Sequence, residues 1–293
     1  MGTILNGKAV AQTVRQSVKD GVAGFVRQHG QAPGLATVLI GDDPVSRVYV
    51  GTKEKACREV GLQSFAYRLP ATVAAAEAFA LVAELNARTE VHGILLQLPL
   101  PEHLPKARLI ESLAPEKDVD ALHPLNQGRL LLGEAGLRPC TPLGVMRLLD
   151  EGRVPLAGKR AVVIGRSLLV GKPVALMLLE RHATVTCCHS YTAGLAAEVC
   201  NADVVVAALG QPETIKGAWI KEGAIVIDVG ISRLADGSLR GDVEFAAAKE
   251  RAAFITPVPG GVGPMTVAML LANTLKAAEQ QRQSGPSSVA SGR

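Results

Sequence analysis

The stretch SRVYVGTKEKA, residues 46–56, contains a tyrosine and a lysine four residues apart. On a helical wheel Lys53 falls in an arc of mostly apolar residues, with charged residues on the opposite side. Lysines are almost never fully buried without a partner, and removal from water lowers the pKa of a lysine side chain toward neutrality, which suits it to proton transfer. A lysine at the edge of the arc could instead extend its ammonium group back into water. The predicted inward arc contains Ser46, Val48, Tyr49, Val50, Lys53, Ala56, Cys57 and Val60.

Other polar side chains are placed where they could join this lysine. Gln97 lies at the end of an apolar strand in HGILLQLPLP, and PEKDVDALHPLN supplies Asp118 and Asp120 in a proline-flanked loop. Ligands bind beyond the carboxyl ends of the strands in parallel sheets. A lysine, a tyrosine, an amide and a carboxylate could therefore converge on one cleft. Either aspartate could instead cap a helix or stabilise a turn.

The elements that carry these residues predict two α/β domains. Helical periodicity covers about residues 7–29, and alternating strands and helices follow it. This alternation is typical of a parallel sheet covered by helices. The pattern restarts after a helix near 143–151, so we predict a domain break between about 120 and 142. The predicted strands are ATVLIG, SFAYRLP and HGILLQLPLP in the first half, and residues 160–164, ADVVVAAL, GAIVIDVG and AAFITPV in the second.

GRSLLVGKP, residues 165–173, is a glycine-rich turn between a predicted strand and a predicted helix. A phosphate-binding P-loop has one residue fewer before its Gly-Lys pair and Ser or Thr after it. The fingerprint G-x-G-x-x-G needs glycine where Ser167 stands, but its strand, turn and helix context is present. Backbone N–H groups at such a helix N-terminus can bind a pyrophosphate. We predict a dinucleotide site, the alternative being a doubly wound domain that binds another ligand.

Two further segments bear on the ligand. The next strand ends at Cys188, His189 and Ser190, not at the acidic residue that accepts the ribose hydroxyls of NAD. With Arg166 nearby and no carboxylate to repel a 2'-phosphate, NADP is favoured over NAD. In TPVPGGVGPMT, residues 256–266, glycines allow close backbone approach to a ligand, or the segment is a turn with Pro264 as the first helical residue.

Composition argues against several other classes of protein. Aromatic residues make up 3% of the chain and the net charge is +4, with basic residues scattered, which disfavours nucleic acid as a partner. No apolar run has the length of a membrane helix, and the start of the chain does not read as a signal peptide. We predict a cytoplasmic protein with no membrane partner and reduced cysteines. Cys187, Cys188, His189 and His182 have no second ligand pair at zinc-like spacing, so no metal is predicted.

Seven motifs occur in order along the chain: SRVYVGTKEKACREVGL, GILLQLPLP, PEKDVDALHP, PCTPLGV, GRSLLVGKP, VIDVGI and PVPGGVGPMT. Through them the chain closely resembles the bifunctional methylenetetrahydrofolate dehydrogenase/cyclohydrolases, from about residue 3 to residue 281. The resemblance implies an N-terminal folate-binding catalytic domain and a C-terminal Rossmann-like dinucleotide-binding domain with a cleft between them. We expect residues 1–122 to form the first domain, with a helix near 265–281 packing back on it. Residues 123–281 form the second, and 282–293 a disordered tail.

The resemblance also implies the activity. The family oxidises 5,10-methylenetetrahydrofolate to the methenyl form with NADP and hydrolyses that product to 10-formyltetrahydrofolate, in one-carbon metabolism and purine biosynthesis. A homodimer acting on tetrahydrofolate derivatives is expected. The alternatives are a monofunctional NAD(P)-dependent methylenetetrahydrofolate dehydrogenase, which Lys53 and Gln97 argue against, and a non-catalytic folate or dinucleotide sensor, which would not need a proton carrier.

The family's site residues map onto matching positions. Lys53 matches its catalytic lysine, Tyr49 its tyrosine against the folate, Gln97 the amide that supports the lysine and Asp120 the residue that holds the pterin. Ala121 departs from the family, which usually has glycine there, and its methyl group could tighten the turn beside Asp120. Further substrate contacts are expected at Ser46, Pro259, Gly260 and Gly261, and cofactor contacts at Gly165, Arg166, Ser167, Ser190, Ile231 and Thr256.

Overall fold

The computed structural model describes residues 2–283, which form two compact units. Unit 1 comprises residues 2–13, 129–134 and 139–269, and unit 2 comprises residues 14–128, 135–138 and 270–283. The predicted disordered tail starts inside the last helix, which extends to Gln283. The remainder of that tail, 284–293, lies outside the described residues.

The contacts divide the chain at other positions than the predicted ranges 1–122 and 123–281. The first residues belong to unit 1, because strand β1 (Thr3–Ile4) pairs in parallel with β11 (Phe254–Ile255). The last residues belong to unit 2, because helix α10 (Val262–Gln283) contributes hydrogen bonds there from residue 273 onward, in agreement with the prediction that a helix near 265–281 packs back on the first domain. Each unit is therefore assembled from segments far apart in the sequence.

Unit 2 is built on a three-stranded parallel sheet with the order β3-β2-β4. Its central strand is buried along its whole length, as expected for an apolar strand with neighbours on both sides. Side chains of this strand, such as Val38, pack with Leu85, Ile94 and Leu109 in one apolar core. The elements are α1 (Gly7–His29), β2 (Gly34–Ile40), α2 (Pro44–Val60), β3 (Gln63–Leu69), α3 (Ala75–Ala87), β4 (Gly93–Leu96) and α4 (Lys106–Glu111).

Unit 1 contains a six-stranded parallel sheet with the order β1-β11-β8-β7-β5-β6. The chain passes from β5 to β6 on one side and then to β7 on the other, so the strand order reverses at β5. Fully buried side chains, among them Ile164, Val205 and Val226, form its core. The elements are α5 (Pro124–Leu132), α6 (Cys140–Glu151), β5 (Arg160–Ile164), α7 (Gly171–Glu180), β6 (Thr184–Cys188), α8 (Leu195–Cys200), β7 (Val204–Ala207), a 3-10 turn (Gly217–Trp219), β8 (Ile225–Asp228), β9 (Ser232–Arg233), β10 (Leu239–Arg240) and α9 (Phe245–Arg251).

The predicted alternation of strands and helices, and with it the two-domain α/β fold, is confirmed. One helix start differs from the prediction, because α10 begins at Val262 and makes Pro264 its third residue, not its first. Proline is accommodated there because the N–H groups of the first helical turn have no acceptor within the helix.

Helices α1 and α10 are long enough to raise the question of a membrane span, with 23 and 22 residues. Both include charged side chains within their length. Across residues 2–283 no helix combines the length and the apolar character that crossing a bilayer requires.

Candidate active site

Helix α2 carries Tyr49 and Lys53 and starts directly after β2. Asp43 caps its first turn, accepting the Ser46 N–H at 2.7 Å, and Pro44 is well suited to the first helical position. Gly61 ends the helix with φ 84°, a left-handed conformation that favours glycine. Both ends are therefore defined locally. Ser46 itself is buried, with 4% of its surface exposed, and its predicted contact with substrate stays a prediction.

The helical wheel is correct for most of the predicted inward arc of α2. Its later residues, from Val50 through Cys57 to Val60, are buried. Val48 and Tyr49, however, are exposed, and Tyr49 has 45% of its surface accessible. The ring of Tyr49 is thus accessible to a ligand.

Lys53 is half-buried and contacts Gln97 as predicted. Its Nζ donates a hydrogen bond to Gln97 Oε1 at 2.8 Å. The Gln97 Nε2 donates to the carbonyl of Leu98 at 2.7 Å, which orients the amide with its oxygen toward the lysine. The Gln97 backbone N–H donates to Val38 O at 2.9 Å and fixes the residue at the end of β4. A lysine with its Nζ on this amide does not need to extend into bulk water to satisfy its ammonium group.

In the PEKDVD segment, Lys117 and Asp118 have structural roles. Asp118 is 1% exposed, and its Oδ2 accepts the His123 N–H at 2.7 Å and the Asn126 Nδ2 at 3.0 Å. Burial raises the pKa of the Asp118 carboxyl group. The buried Lys117 Nζ donates to carbonyls at the end of α3, including Asn86 O at 2.7 Å. For Asp118 the turn interpretation is therefore correct.

Asp120 is half-buried and lies near the end of β4. Asp118 forms a parallel bridge with Ile94 in β4, so the two segments run in the same direction. Asp120 follows Asp118 toward the end of β4 that leads to Gln97. Ala121 follows with φ 52°, fully buried. A left-handed backbone disfavours residues with a Cβ atom, which gives a physical reason for the glycine usual in the family.

The glycine-rich turn of unit 1 joins β5 to α7 at the reversal of strand order. Gly165 has φ 126°, and a Cβ atom there would lie 2.3 Å from Ala208 O, just after β7. A Cβ atom on Gly171 would lie 2.1 Å from Gly165 O. Both ends of the turn therefore require glycine. The role of Gly171 was not predicted; a glycine at the first position of the helix was the available signal.

Ser167 stabilises this turn from within. Its Oγ accepts N–H groups from Val170 at 3.1 Å and Gly171 at 3.4 Å, and its carbonyl accepts the Lys172 N–H at 3.1 Å. These N–H groups belong to the start of α7, which was predicted to face a pyrophosphate. Ser167 accepts hydrogen bonds from them within the chain, and the pyrophosphate contact of this helix start stays a prediction.

The end of β6 lies beside the glycine-rich turn, because Cys188 pairs with Ile164. Arg166 is exposed there, with its guanidinium carbon 5.8 Å from the ring centroid of Tyr191. Ser190 is also exposed at this strand end. The contact with Tyr191 was not predicted, since nothing in the sequence pattern sets this tyrosine apart.

The loop at the start of α10 contributes a small pocket in unit 1. Asp228, Val229, Ile231 and residues 257–263 line it, so the predicted cofactor residue Ile231 lies beside the predicted substrate residues Pro259, Gly260 and Gly261. Thr256 differs from its predicted role as a cofactor contact. It is 0% exposed, and its Oγ1 accepts the Asp228 N–H at 2.8 Å, so its side chain joins strand ends inside unit 1.

The cysteines and histidines of unit 1 do not converge. Cys187 is exposed and Cys188 is buried, as expected for neighbours in a strand. Within residues 2–283 no three His, Cys, Asp or Glu side chains are grouped so that they could hold a metal ion.

These observations define a class of protein. A parallel sheet whose strand order reverses at a strand followed by a glycine-rich turn and a helix is the architecture of a dinucleotide-binding domain. The second α/β unit carries an oriented lysine and amide at the carboxyl edge of its sheet, where chemical groups are usually placed.

Comparison with known proteins identifies the family. The family model for "Tetrahydrofolate dehydrogenase/cyclohydrolase, catalytic domain" matches residues 5–120, and that for "Tetrahydrofolate dehydrogenase/cyclohydrolase, NAD(P)-binding domain" matches residues 139–282. "Bifunctional protein FolD 2" of Geobacter metallireducens is 56% identical over 280 residues, covering 96% of this chain and 98% of the relative. The chain belongs to the tetrahydrofolate dehydrogenase/cyclohydrolase family.

Solved structures agree with this assignment. The bifunctional enzyme FolD from Campylobacter jejuni has a TM-score of 0.94 and 46% identity, covering 96% of this chain and 99% of that one. FolD from Trypanosoma brucei, complexed with NADP cofactor and inhibitor, has a TM-score of 0.92 and 42% identity, covering 95% and 98%. The resemblance is thereby confirmed, and the chain is a bifunctional dehydrogenase/cyclohydrolase, which sets aside the monofunctional and sensor alternatives.

Proposed function

We propose that this chain oxidises 5,10-methylenetetrahydrofolate with NADP and hydrolyses the methenyl product to 10-formyltetrahydrofolate, with Lys53 as the proton carrier. The observation that carries the proposal is the hydrogen bond from Lys53 Nζ to Gln97 Oε1. This hydrogen bond holds the lysine Nζ, which can donate and accept a proton, at the carboxyl edge of the sheet in unit 2. The family assignment and the activities named for the relatives support the two reactions.

The first reaction depends mainly on positioning. NADP, when bound, supplies the nicotinamide ring that accepts a hydride from the methylene carbon. Little acid or base assistance is needed once the two carbons are held face to face. In our proposal the Asp120 carboxylate accepts N–H groups of the pterin, and the accessible ring of Tyr49 packs against the folate. Pro259, Gly260 and Gly261 complete the predicted substrate contacts.

The second reaction needs proton transfer. Water adds to the methenyl carbon and loses one proton, which gives a carbinol. The carbon–nitrogen bond to the pterin ring then breaks as that nitrogen accepts a proton and the carbinol hydroxyl loses its proton to become the formyl carbonyl. One proton is released overall, because the substrate is a cation and the product is not. A lysine that alternates between amine and ammonium can take the proton from water and return it to the ring nitrogen. Gln97 keeps the Nζ in place for both transfers.

The residues at the ends of β5 and β6 fit NADP. Arg166 offers a cation and Ser190 a hydroxyl, both exposed, and residues 188–190 include no carboxylate that would repel a 2'-phosphate. The absence of a Cβ atom on Gly165 lets the turn pack against the end of β7. The NADP bound in the Trypanosoma brucei relative supports the same cofactor here.

The cofactor choice is tested with Arg166→Ala. Losing a charge-assisted contact to the 2'-phosphate should raise the Kd for NADP by about tenfold or more and leave the Kd for NAD nearly unchanged. Arg160→Ala is the matched control, because Arg160 is an exposed arginine at the opposite end of β5. Equal losses for both cofactors in Arg166→Ala would show that this arginine does not recognise the 2'-phosphate.

The proton carrier is tested with Lys53→Met, which keeps a long flexible side chain but removes the amine. Hydrolysis measured without NADP should fall by roughly 10²- to 10⁴-fold, the usual effect of losing a general acid–base group. Hydride transfer should fall less, because it depends on geometry. Lys55→Met is the control, since Lys55 is exposed on the same helix. Hydrolysis near the parental rate in a Lys53→Met preparation with the parental melting temperature contradicts the proposal.

We further propose a homodimer, a cytoplasmic location and a contribution to purine biosynthesis through 10-formyltetrahydrofolate. The resemblance to the family supports the dimer and the pathway, and the five free cysteines, which suit a reducing compartment, support the location. Light scattering on the purified chain tests the dimer, and a monomer mass at micromolar concentration contradicts it.

A further inference from the structure

Two buried aspartates in unit 1 have no role in the chemistry described above. Asp228 ends β8, and Asp242 follows β10 and is 0% exposed. We call them the acid pair. Carboxylates are almost never buried without partners, because taking a charge out of water is costly. Their partners therefore indicate what the pair is for.

Asp242 binds the loop that follows β7. Its Oδ2 accepts the N–H groups of Leu209 at 2.5 Å and Gly210 at 3.0 Å, and its Oδ1 accepts that of Gln211 at 2.8 Å. Three consecutive backbone donors on one carboxylate fix the path of this loop. It leaves the sheet next to the strand that leads into the glycine-rich turn, since β7 pairs with β5.

Asp228 binds two segments: Gly230, which precedes Ile231, and the backbone of Asp242 and Val243. Its carboxylate accepts the N–H groups of Gly230 at 3.0 Å, Asp242 at 3.0 Å and Val243 at 2.9 Å. The pair is therefore linked, because Asp228 holds the backbone that carries Asp242. The Gly230 contact fixes the residue directly before Ile231.

Glycines make room for both carboxylates. A Cβ atom on Gly230 would lie 2.1 Å from Asp242 Oδ1, and one on Gly241 would lie 2.0 Å from Asp228 Oδ2. Packing this close is possible only without side chains at these positions. The acid pair and its two glycines thus form one closely packed cluster that fixes the backbone of the loops after β7 and β8.

We propose that Asp228 and Asp242 are positioning residues for the dinucleotide, acting through the loop 208–211 and through Ile231. This inference rests on the proposed function, in which a nicotinamide dinucleotide binds at the carboxyl edge of this sheet. In this proposal the two loops contact parts of the dinucleotide that NADP and NAD share, whereas Arg166 contacts the 2'-phosphate. Loss of the pair therefore weakens both cofactors alike.

The test uses Asp242→Asn, which keeps the shape of the side chain. The asparagine side chain has one acceptor oxygen where the aspartate has two. Its NH₂ group must therefore face a backbone N–H that donates a hydrogen bond to the Asp242 carboxylate in the parent. We expect the Kd for NADP and the Kd for NAD, measured by calorimetry on the full chain, to rise together by about tenfold, as for the loss of a hydrogen bond to a charged group. Asp242→Ala should weaken both further.

Asp203→Asn is the matched control. Asp203 lies at the opposite end of β7, where it accepts the Arg160 N–H at 2.9 Å and the Lys221 Nζ at 2.6 Å. Its loss should lower the melting temperature without changing either Kd. Circular dichroism of Asp242→Asn at the assay temperature shows whether the variant is folded, so a rise in both Kd values can be separated from a loss of folded protein.

Parental Kd values in an Asp242→Asn variant that melts at a lower temperature would overturn the inference and leave the pair a purely structural role. A rise in the Kd for NADP with no rise in the Kd for NAD would also overturn the inference. Dinucleotide binding by the parent chain tests the proposed function independently, because it does not involve either variant.

Discussion

Replacing Gln97 with glutamate changes the charge beside Lys53 while keeping the length of the side chain. In the structure the amide oxygen lies 2.8 Å from the lysine Nζ. Gln97→Glu puts a carboxylate in that place, which stabilises the ammonium form of the lysine. If Lys53 must release a proton to accept one from the attacking water, hydrolysis in the variant should need a higher pH.

The size of the effect follows from the distance and the partial burial of Lys53. Two unit charges 4 Å apart attract by about 1 kcal/mol in a water-like medium and about 4 kcal/mol at the effective dielectric constant near a protein surface. Because 1.36 kcal/mol corresponds to about one pH unit, and Lys53 is only half-buried, we expect the lower part of that range. The rising limb of the hydrolysis profile should move up by roughly 1 to 2 pH units.

The assay is the loss of methenyltetrahydrofolate absorbance without NADP, followed from neutral to alkaline pH. Gln97→Met is the control, because it removes the contacts to Lys53 and to Leu98 O without adding a charge. It should lower the rate with little displacement of the profile. If Gln97→Glu has the same profile as Gln97→Met, the protonation of Lys53 does not govern hydrolysis, and the reasoning fails.

Three other changes give independent checks. Asp120→Ala should impair both activities through folate binding, and unchanged affinity in a direct folate titration would remove Asp120 from the site. Ala121→Gly relieves a left-handed alanine, worth about 1–2 kcal/mol, but increases unfolded-chain entropy by about 0.4–1 kcal/mol and loses a buried methyl group worth about 0.8 kcal/mol. Urea unfolding should therefore show a net change within about 1 kcal/mol, and a larger loss would mean that packing of the methyl group dominates. Burial and the nearby Asp242 raise the pKa of Asp228 to about 7, so the folded chain retains a proton that the unfolded chain releases near pH 3.8, and this group's contribution to stability falls as pH rises through that window. Burial lowers the pKa of His92 to about 4, so the contribution of this histidine to stability rises with pH over much of the same range and opposes that of Asp228 in the parent. The stability of Asp228→Asn should therefore rise more steeply with pH than that of the parent, and parallel pH profiles in urea unfolding would contradict the assignment.

The elements of both units could be predicted because their signals are local. An apolar run bounded by glycine or proline, such as ATVLIG, which ends at Gly41, identifies a buried strand wherever its neighbours are. The contact between Lys53 and Gln97 was predicted through the family resemblance, since the two residues are 44 positions apart. Their convergence follows from the strand order of unit 2, in which β2 and β4 are neighbours.

What sequence could not provide are properties that depend on distant segments. The exposure of Tyr49 could not be predicted from a helical wheel, which places this residue in the same arc as the buried Ala56. Thr256 has the same neighbours in the sequence whether its hydroxyl faces a ligand or Asp228, and only the pairing of β11 with β8 decides between them. The acid pair was missed for the same reason, because Asp242 has its backbone partners more than 30 positions away.

The pairing of β1 with β11 has a consequence for the order of folding on the ribosome. Thr3 leaves the exit tunnel early, but its partner Phe254 is synthesised only when most of the chain has been made. Strands β2, β3 and β4 of unit 2 are synthesised after Thr3 and before Phe254, so their sheet can form before β1 has its partner strand. Strand β1 therefore has no partner strand until β11 has been made, and a ribosome stalled before residue 254 would carry a dinucleotide-binding sheet that lacks both β11 and β1.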